Sequence, residues 1–209
     1  KKIIVRLILL LVLFCLTLFL PAGTLDYWQV YVYLAVLLVP MAFVLFYFIR
    51  KDPHFLARRI KMKEKEKIQA LVQVVFTSFF LSGFILSGLD RRFGWSEVPL
   101  LAVLAADAVI FLAYLMIFEV FRENSFASRI VEVDEAQKVV TTGMYRIVRH
   151  PMYVGVVIMY VLTPIALGSY WGVIPMLTIP VALVFRILNE EKVLTKELPG
   201  YADYCRQTK

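Results

Sequence analysis

The residues best suited to chemistry in this 209-residue chain lie between Gly143 and Gly155, in the run Gly-Met-Tyr-Arg-Ile-Val-Arg-His-Pro-Met-Tyr-Val-Gly. Tyr145, Arg149, His150 and Tyr153 offer hydrogen-bond donors, a fixed positive charge and two aromatic faces just ahead of a long apolar stretch. Pro151 stands where a helix can begin, because a proline in the first turn loses no hydrogen bond. Such a segment could hold a charged small molecule at a membrane edge. The competing reading is a basic anchor, with Arg146 and Arg149 among lipid headgroups and the tyrosines in the interfacial belt.

Arg149-His-Pro-Met-Tyr-Val-Gly155 resembles the RHPxYxG motif of the integral membrane methyltransferases that include isoprenylcysteine carboxyl methyltransferase and phosphatidylethanolamine methyltransferase. Further on, Arg186-Ile-Leu-Asn-Glu190-Glu191-Lys-Val-Leu194 resembles that family's R-x3-EE-x2-L, and Tyr201-Ala-Asp-Tyr204 its closing Y-x2-Y. The likeness covers about Gln137 to Tyr204. It implies S-adenosylmethionine as cofactor and a lipophilic or lipidated methyl acceptor. Position by position, it implies that Gln137, Lys138, Val139 and Val140 line the cofactor. Tyr145, His150, Pro151, Met152 and Tyr153 enclose it, Glu190 meets its amino group, and Arg186 binds the acceptor. The first position departs from the carboxyl methyltransferases, which carry His where this chain has Gln137.

Arg186 and Glu190 are four residues apart, so a helix places both on one face, near enough to hold two substrates side by side. Read without the first motif, they are an ordinary i,i+4 ion pair. If the acceptor is a carboxylate, an arginine fork can grip it bidentately, and no general base is needed. A phospholipid amine acceptor is the nearest alternative and would need a base to take its proton. Two other classes remain: an NADPH-dependent sterol-type reductase, which calls for a basic cluster that 186–206 largely lacks, and a membrane scaffold or transporter.

Composition dictates the setting of these residues. Hydrophobic residues make up 61% of the chain and its mean hydropathy is +0.76, well beyond a soluble domain. The expected architecture is an all-α, multi-pass membrane domain of about six spans, or four plus a re-entrant pair. Residues 1–120 act as scaffold, and 121–209 form the catalytic region with a cytosolic cofactor-binding loop and a C-terminal helix. Apolar runs at 3–20, 30–49, 68–89 and 100–118 supply four spans, the first read as a span and not a cleaved leader. Runs at 152–167 and 171–186, separated by Gly168-Ser-Tyr170, supply a tight helical hairpin that Pro164, Pro175 and Pro180 are expected to kink. A polar amphipathic helix is expected over 188–206, broken near Pro199-Gly200.

Of 23 Lys and Arg residues, all but Arg91 and Arg92 fall in 1–6, 50–67, 121–149 and 186–209. The positive-inside rule therefore puts both termini in the cytosol. The net charge of +7 is explained by this topology and by anionic headgroups, so no nucleic-acid partner is expected. The basic, aromatic-containing segment 50–67 reads as a helix lying on the bilayer surface.

Within 121–142, the alternation at 130–134 and 139–142 suggests a small hairpin. Two cysteines, Cys15 and Cys205, imply no disulfide framework, and with only His54 and His150 no metal site is expected. Asp107 falls inside the fourth apolar run, where a charge costs at least about 2.5 kcal/mol. The expectation is a carboxyl satisfied by Gln73, Ser78 or Ser82, outside the functional site.

Overall fold

The computed structural model describes residues 2–60, 67–126 and 137–208. The described chain is helical, with no strand among its residues. Helices α1 (Lys2–Ala22), α2 (Trp28–Lys51), α3 (Pro53–Ile60), α4 (Lys67–Phe93) and α5 (Leu100–Glu123) precede the motif region. A 3₁₀ turn (Gly143–Arg146) leads into α6 (Pro151–Ala166), α7 (Val173–Met176), α8 (Thr178–Glu197) and α9 (Tyr201–Gln207).

Among the described residues, four segments are long and apolar enough to cross a membrane: Trp28–Lys51, Val74–Phe93, Leu100–Glu123 and Val173–Glu197. Leu11–Ala22 and Pro151–Ala166 are shorter apolar helices. At 1.5 Å per residue, the 24 residues of α2 or α5 reach about 36 Å, enough for a hydrocarbon core of about 30 Å. Large apolar side chains such as Leu20, Val39, Leu101 and Leu112 stand more than half exposed on the outside of this bundle. In water that surface would be a liability; in a bilayer it is the lipid contact.

The bundle closes around one apolar core to which α1, α2, α4, α5, α6, α7 and α8 all contribute, with Leu18, Tyr33, Phe84, Ile110, Met176 and Ile179 at its centre. Buried hydroxyls find partners. Tyr27 donates to the Leu167 carbonyl at 2.6 Å, and Tyr33 and Thr163 share a hydrogen bond of 2.9 Å. At the far end from the motif, the buried Asp90 carboxylate accepts from the Ser96 amide and hydroxyl and from the Ser169 hydroxyl, tying the α4–α5 connection to the α6–α7 turn.

Several expectations need correction. The 152–186 hairpin forms around the 167–172 turn, but its second arm does not stop at Arg186. With no Pro or Gly between 181 and 198, α8 runs on to Glu197, so the helix expected to start at 188 is the continuation of the span. The break at Leu198–Gly200 is real, with Gly200 at φ +84°. The helical segment α5 likewise extends five residues past 118. Residues 139–142 form no strand among the described residues, and their expected partner at 130–134 lies outside them, as do 61–66 of the basic linker.

In α3, Phe55 does not lie in lipid: it is buried and stacks on Phe48 at 4.3 Å, with Phe121 alongside. Of the small residues on α4, Gly83 and Ser87 face the packed interior. Ser78 and Ser82 donate to carbonyls of their own helix, to Val74 and Phe79. They therefore do not satisfy Asp107, which is 4% exposed with neither carboxyl oxygen hydrogen-bonded among the described residues; the Gln73 side chain lies outside them.

Candidate functional site

The motif segment is positioned from two directions. Gly143 takes φ +54°, a value glycine adopts without strain, and so starts the 3₁₀ turn that aims Tyr145 inward. Thr142 donates to Glu123 at the end of α5, and Asn124 donates to the Tyr145 hydroxyl at 3.0 Å. His150 then caps α6, with Pro151 in its first turn. The motif's last residue does packing work: a Cβ on Gly155 would come within 2.7 Å of Ile117 and 2.9 Å of Met116. Glycine there lets α6 lie close against α5, which fixes the height of Tyr153 above the pocket floor.

From the other side comes α8. Tyr153, 7% exposed, donates its hydroxyl hydrogen to Glu190 Oε2 at 2.6 Å and accepts from Arg186 Nε at 2.9 Å. The two α8 residues four apart are thus joined through a tyrosine from α6. Glu191, one residue on, takes a different pair. Its Oε1 lies 3.0 Å from Arg149 Nη1 and 3.2 Å from His150 Nε2.

All eleven residues singled out from the sequence line one cavity: Gln137, Lys138, Val139, Val140, Tyr145, His150, Pro151, Met152, Tyr153, Arg186 and Glu190. Its empty space, open solvent included, is about 840 Å³. Asn124, Phe126, Arg149, Leu194, Leu198, Tyr201 and Tyr204 complete the wall. The tyrosines of the Y-x2-Y motif and the arginine of the first motif carried a sequence signal that could have placed them here. Asn124 and Phe126 carried none, because only the turn after α5 brings them in.

The short helix α9 forms the outer rim. Tyr204 donates to the Tyr145 carbonyl at 2.6 Å, and Tyr201, Tyr204 and Leu198 pack with Val139, Tyr145 and Leu194. Burial raises the Tyr201 phenol above its ordinary value, and the nearby Cys205, Glu191 and Glu190 raise it further; Tyr204 is raised chiefly by burial. Both rings are therefore neutral at physiological pH and act as aromatic faces and hydroxyl donors. A hydrogen bond to Cys205 moves the Arg149 guanidinium up from its usual value, against partial burial, and the charge of Glu191 adds to it.

A second cavity touches the first. It is an open, largely apolar groove between α6 and α8, lined by Val154, Val157, Ile158, Leu183, Val184 and Ile187 among others. Arg149, His150 and Tyr153 line both spaces and so form a partition between the pocket and the apolar groove.

Among the described residues the protein is a helical bundle with membrane-length apolar helices, and its mixed polar and apolar pocket shares Arg149, His150 and Tyr153 with an apolar groove. Residues 101–200 match the model of the family described as phospholipid methyltransferase. That stretch belongs to this family of integral membrane methyltransferases, which also takes in the isoprenylcysteine carboxyl methyltransferases. Its members generally use S-adenosylmethionine. No curated protein matches the chain.

Proposed function

We propose that the protein carries a methyl group from S-adenosylmethionine to the carboxylate of a lipophilic acceptor, of the isoprenylcysteine kind, at the cytosolic edge of the membrane. In this reading both termini face the cytosol, and 121–209 is the catalytic region on a scaffold of 1–120. The observation that carries it is the shared partition: Arg149, His150 and Tyr153 belong at once to a polar pocket and to an apolar groove.

The donor set of the pocket suits the cofactor. Glu190 offers a carboxylate for an ammonium group, and Tyr145, Tyr201 and Tyr204 offer ring faces for a sulfonium or an adenine. Val139, Val140, Leu194 and Leu198 offer apolar contact. When bound, the cofactor supplies an electrophilic methyl group. Arg186 orients the acceptor carboxylate, one oxygen of which forms the new C–O bond as the methyl–sulfur bond breaks, giving a methyl ester and a neutral thioether. No proton moves. The residues here contribute alignment and exclusion of water, while the groove holds the acceptor's apolar tail in contact with lipid.

A phospholipid amine acceptor is the second reading, favoured by the description of the matched family. Purified protein in vesicles, given methyl-labelled cofactor and either an N-acylated S-prenylcysteine or phosphatidylethanolamine, separates the two. An ester product releases labelled methanol in mild alkali, whereas an N-methyl product is alkali-stable. Label found only in alkali-stable lipid would replace the carboxylate reading with the amine one, and binding of NADPH in place of the cofactor would remove both.

A further inference from the structure

Two acidic residues stand side by side on α8, and only one of them lines the cofactor pocket. Successive residues of an α-helix point about 100° apart. Glu190 lies on the stripe with Arg186 and Leu194 that faces the pocket, whereas Glu191 lies on the stripe with Leu183 and Ile187 that faces the groove. Glu191 nevertheless reaches the site indirectly. One of its oxygens is shared by Arg149 Nη1 at 3.0 Å and His150 Nε2 at 3.2 Å.

His150 is held from three sides: its Nδ1 lies 3.9 Å from Glu190 Oε1, its Nε2 faces Glu191, and the Tyr201 hydroxyl stands 3.5 Å from that same nitrogen. The partition residues Arg149 and His150 immediately precede α6, where α6 and α8 are parted by the pocket and the groove. The carboxylate of Glu191 is the bridge across that gap on the groove side, as the Tyr153–Glu190 bond is on the pocket side.

We infer that Glu191 is a positioning residue. By clamping Arg149 and His150 it fixes the partition, and so fixes where an acceptor's head can stand relative to the cofactor. The catalytic consequence rests on the methyl-transfer reading; the clamp itself does not.

The test uses the full chain in lipid nanodiscs. With ¹⁵N-labelled histidine and His54→Asn, the only imidazole left is His150. In protein without cofactor, the proton is expected on Nε2, directed at Glu191. Glu191→Ala should shift these ring signals toward a mixture of tautomers, and Glu191→Gln, which keeps an acceptor oxygen but no charge, should fall between. Cofactor affinity, measured calorimetrically, should stay within about threefold of wild type in both variants. Turnover of an N-acylated S-prenylcysteine at saturating cofactor should fall by about tenfold or more in Glu191→Ala, with Glu191→Gln again intermediate.

Unchanged His150 signals in both variants would overturn the clamp, whether or not the protein methylates anything. Turnover equal to wild type, or cofactor affinity lost in step with turnover, would overturn the positioning role. A wild-type protein that binds no cofactor would instead defeat the methyl-transfer reading, while the histidine signals still decide the clamp. Should Glu191→Ala not fold, the isosteric Glu191→Gln carries the same comparison.

Discussion

Substitution of Glu190 and of Arg186 should have opposite signatures, although one tyrosine hydroxyl joins the two residues. In Glu190→Gln an acceptor oxygen remains for the Tyr153 hydroxyl, so the local geometry is kept while the negative charge is removed. If Glu190 meets the cofactor's ammonium, the loss is that of a charged hydrogen bond, about 1.5–3 kcal/mol, or roughly 10- to 150-fold in affinity. The side chain is 24% exposed, so solvent screening places the expected loss toward the lower end of that range. Arg186→Lys removes the Nε–H that reaches Tyr153 and the planar fork, yet keeps the charge.

Cofactor affinity in Arg186→Lys should therefore stay close to wild type, while methyl transfer falls even at saturating cofactor. Calorimetric titration with S-adenosylmethionine reads the first quantity, and steady-state transfer to a prenylcysteine the second. An affinity in Glu190→Gln equal to wild type would take Glu190 out of the cofactor site. Equal small losses of thermal stability in both variants, with cofactor affinity unchanged, would reduce the pair to a structural one.

Gly155→Leu should lower the melting temperature in detergent and weaken cofactor binding together, because overpacking against Ile117 and Met116 costs about 1–3 kcal/mol and tilts Tyr153 away from α8; unchanged melting would show that α5 and α6 can part freely. Asp107→Asn should leave thermal stability unchanged or higher, since the carboxyl is buried without a hydrogen-bond partner among the described residues; a marked fall would reveal a partner for it. Tyr201 and Tyr204 have raised folded-state values, so their contribution to stability is fully present below about pH 10, where the unfolded phenols begin to ionise, and is lost as pH rises further. Melting followed from pH 7 to 11 should stay flat and then fall above about pH 10, and the fall should shrink in Tyr201→Phe.

Much of this was legible in the sequence because the signals were local. Apolar runs bounded by Pro, Gly and charges placed α1, α2, α4 and α6 to within a few residues, and the i,i+4 spacing placed Arg186 and Glu190 on one face. What could not be read was set by contacts far apart in sequence. Nothing near Gln73, Ser78 or Ser82 shows that their helix turns two of these groups away from Asp107. The composition change after Arg186 suggested a new helix, but polarity alone does not end one; only Leu198-Pro199-Gly200 does. Segment 50–67 reads as a helix on the bilayer surface because the cage that buries its Phe55, made of Phe48, Phe118 and Phe121, comes from two other helices.

The unbroken course of α8 is what makes a two-sided site possible. Leu183, Ile187 and Glu191 follow one another at four-residue steps along the groove, and Arg186, Glu190 and Leu194 do the same along the pocket. The two stripes are adjacent but out of phase in polarity: the groove stripe is apolar until it ends in an acid, and the pocket stripe is charged until it ends in a leucine. Where the two stripes lie side by side, Arg149 and His150, just ahead of α6, and Tyr153, within it, contact three of the charged α8 side chains, Glu190, Glu191 and Arg186. Had the helix ended at Arg186, as its composition suggests, both acids would lie on a separate segment free to move against the span. In the proposed methyl transfer, the distance between an acceptor held by Arg186 and a cofactor held by Glu190 would then no longer be fixed by one rigid helix, and alignment is the contribution that a reaction without proton transfer most needs.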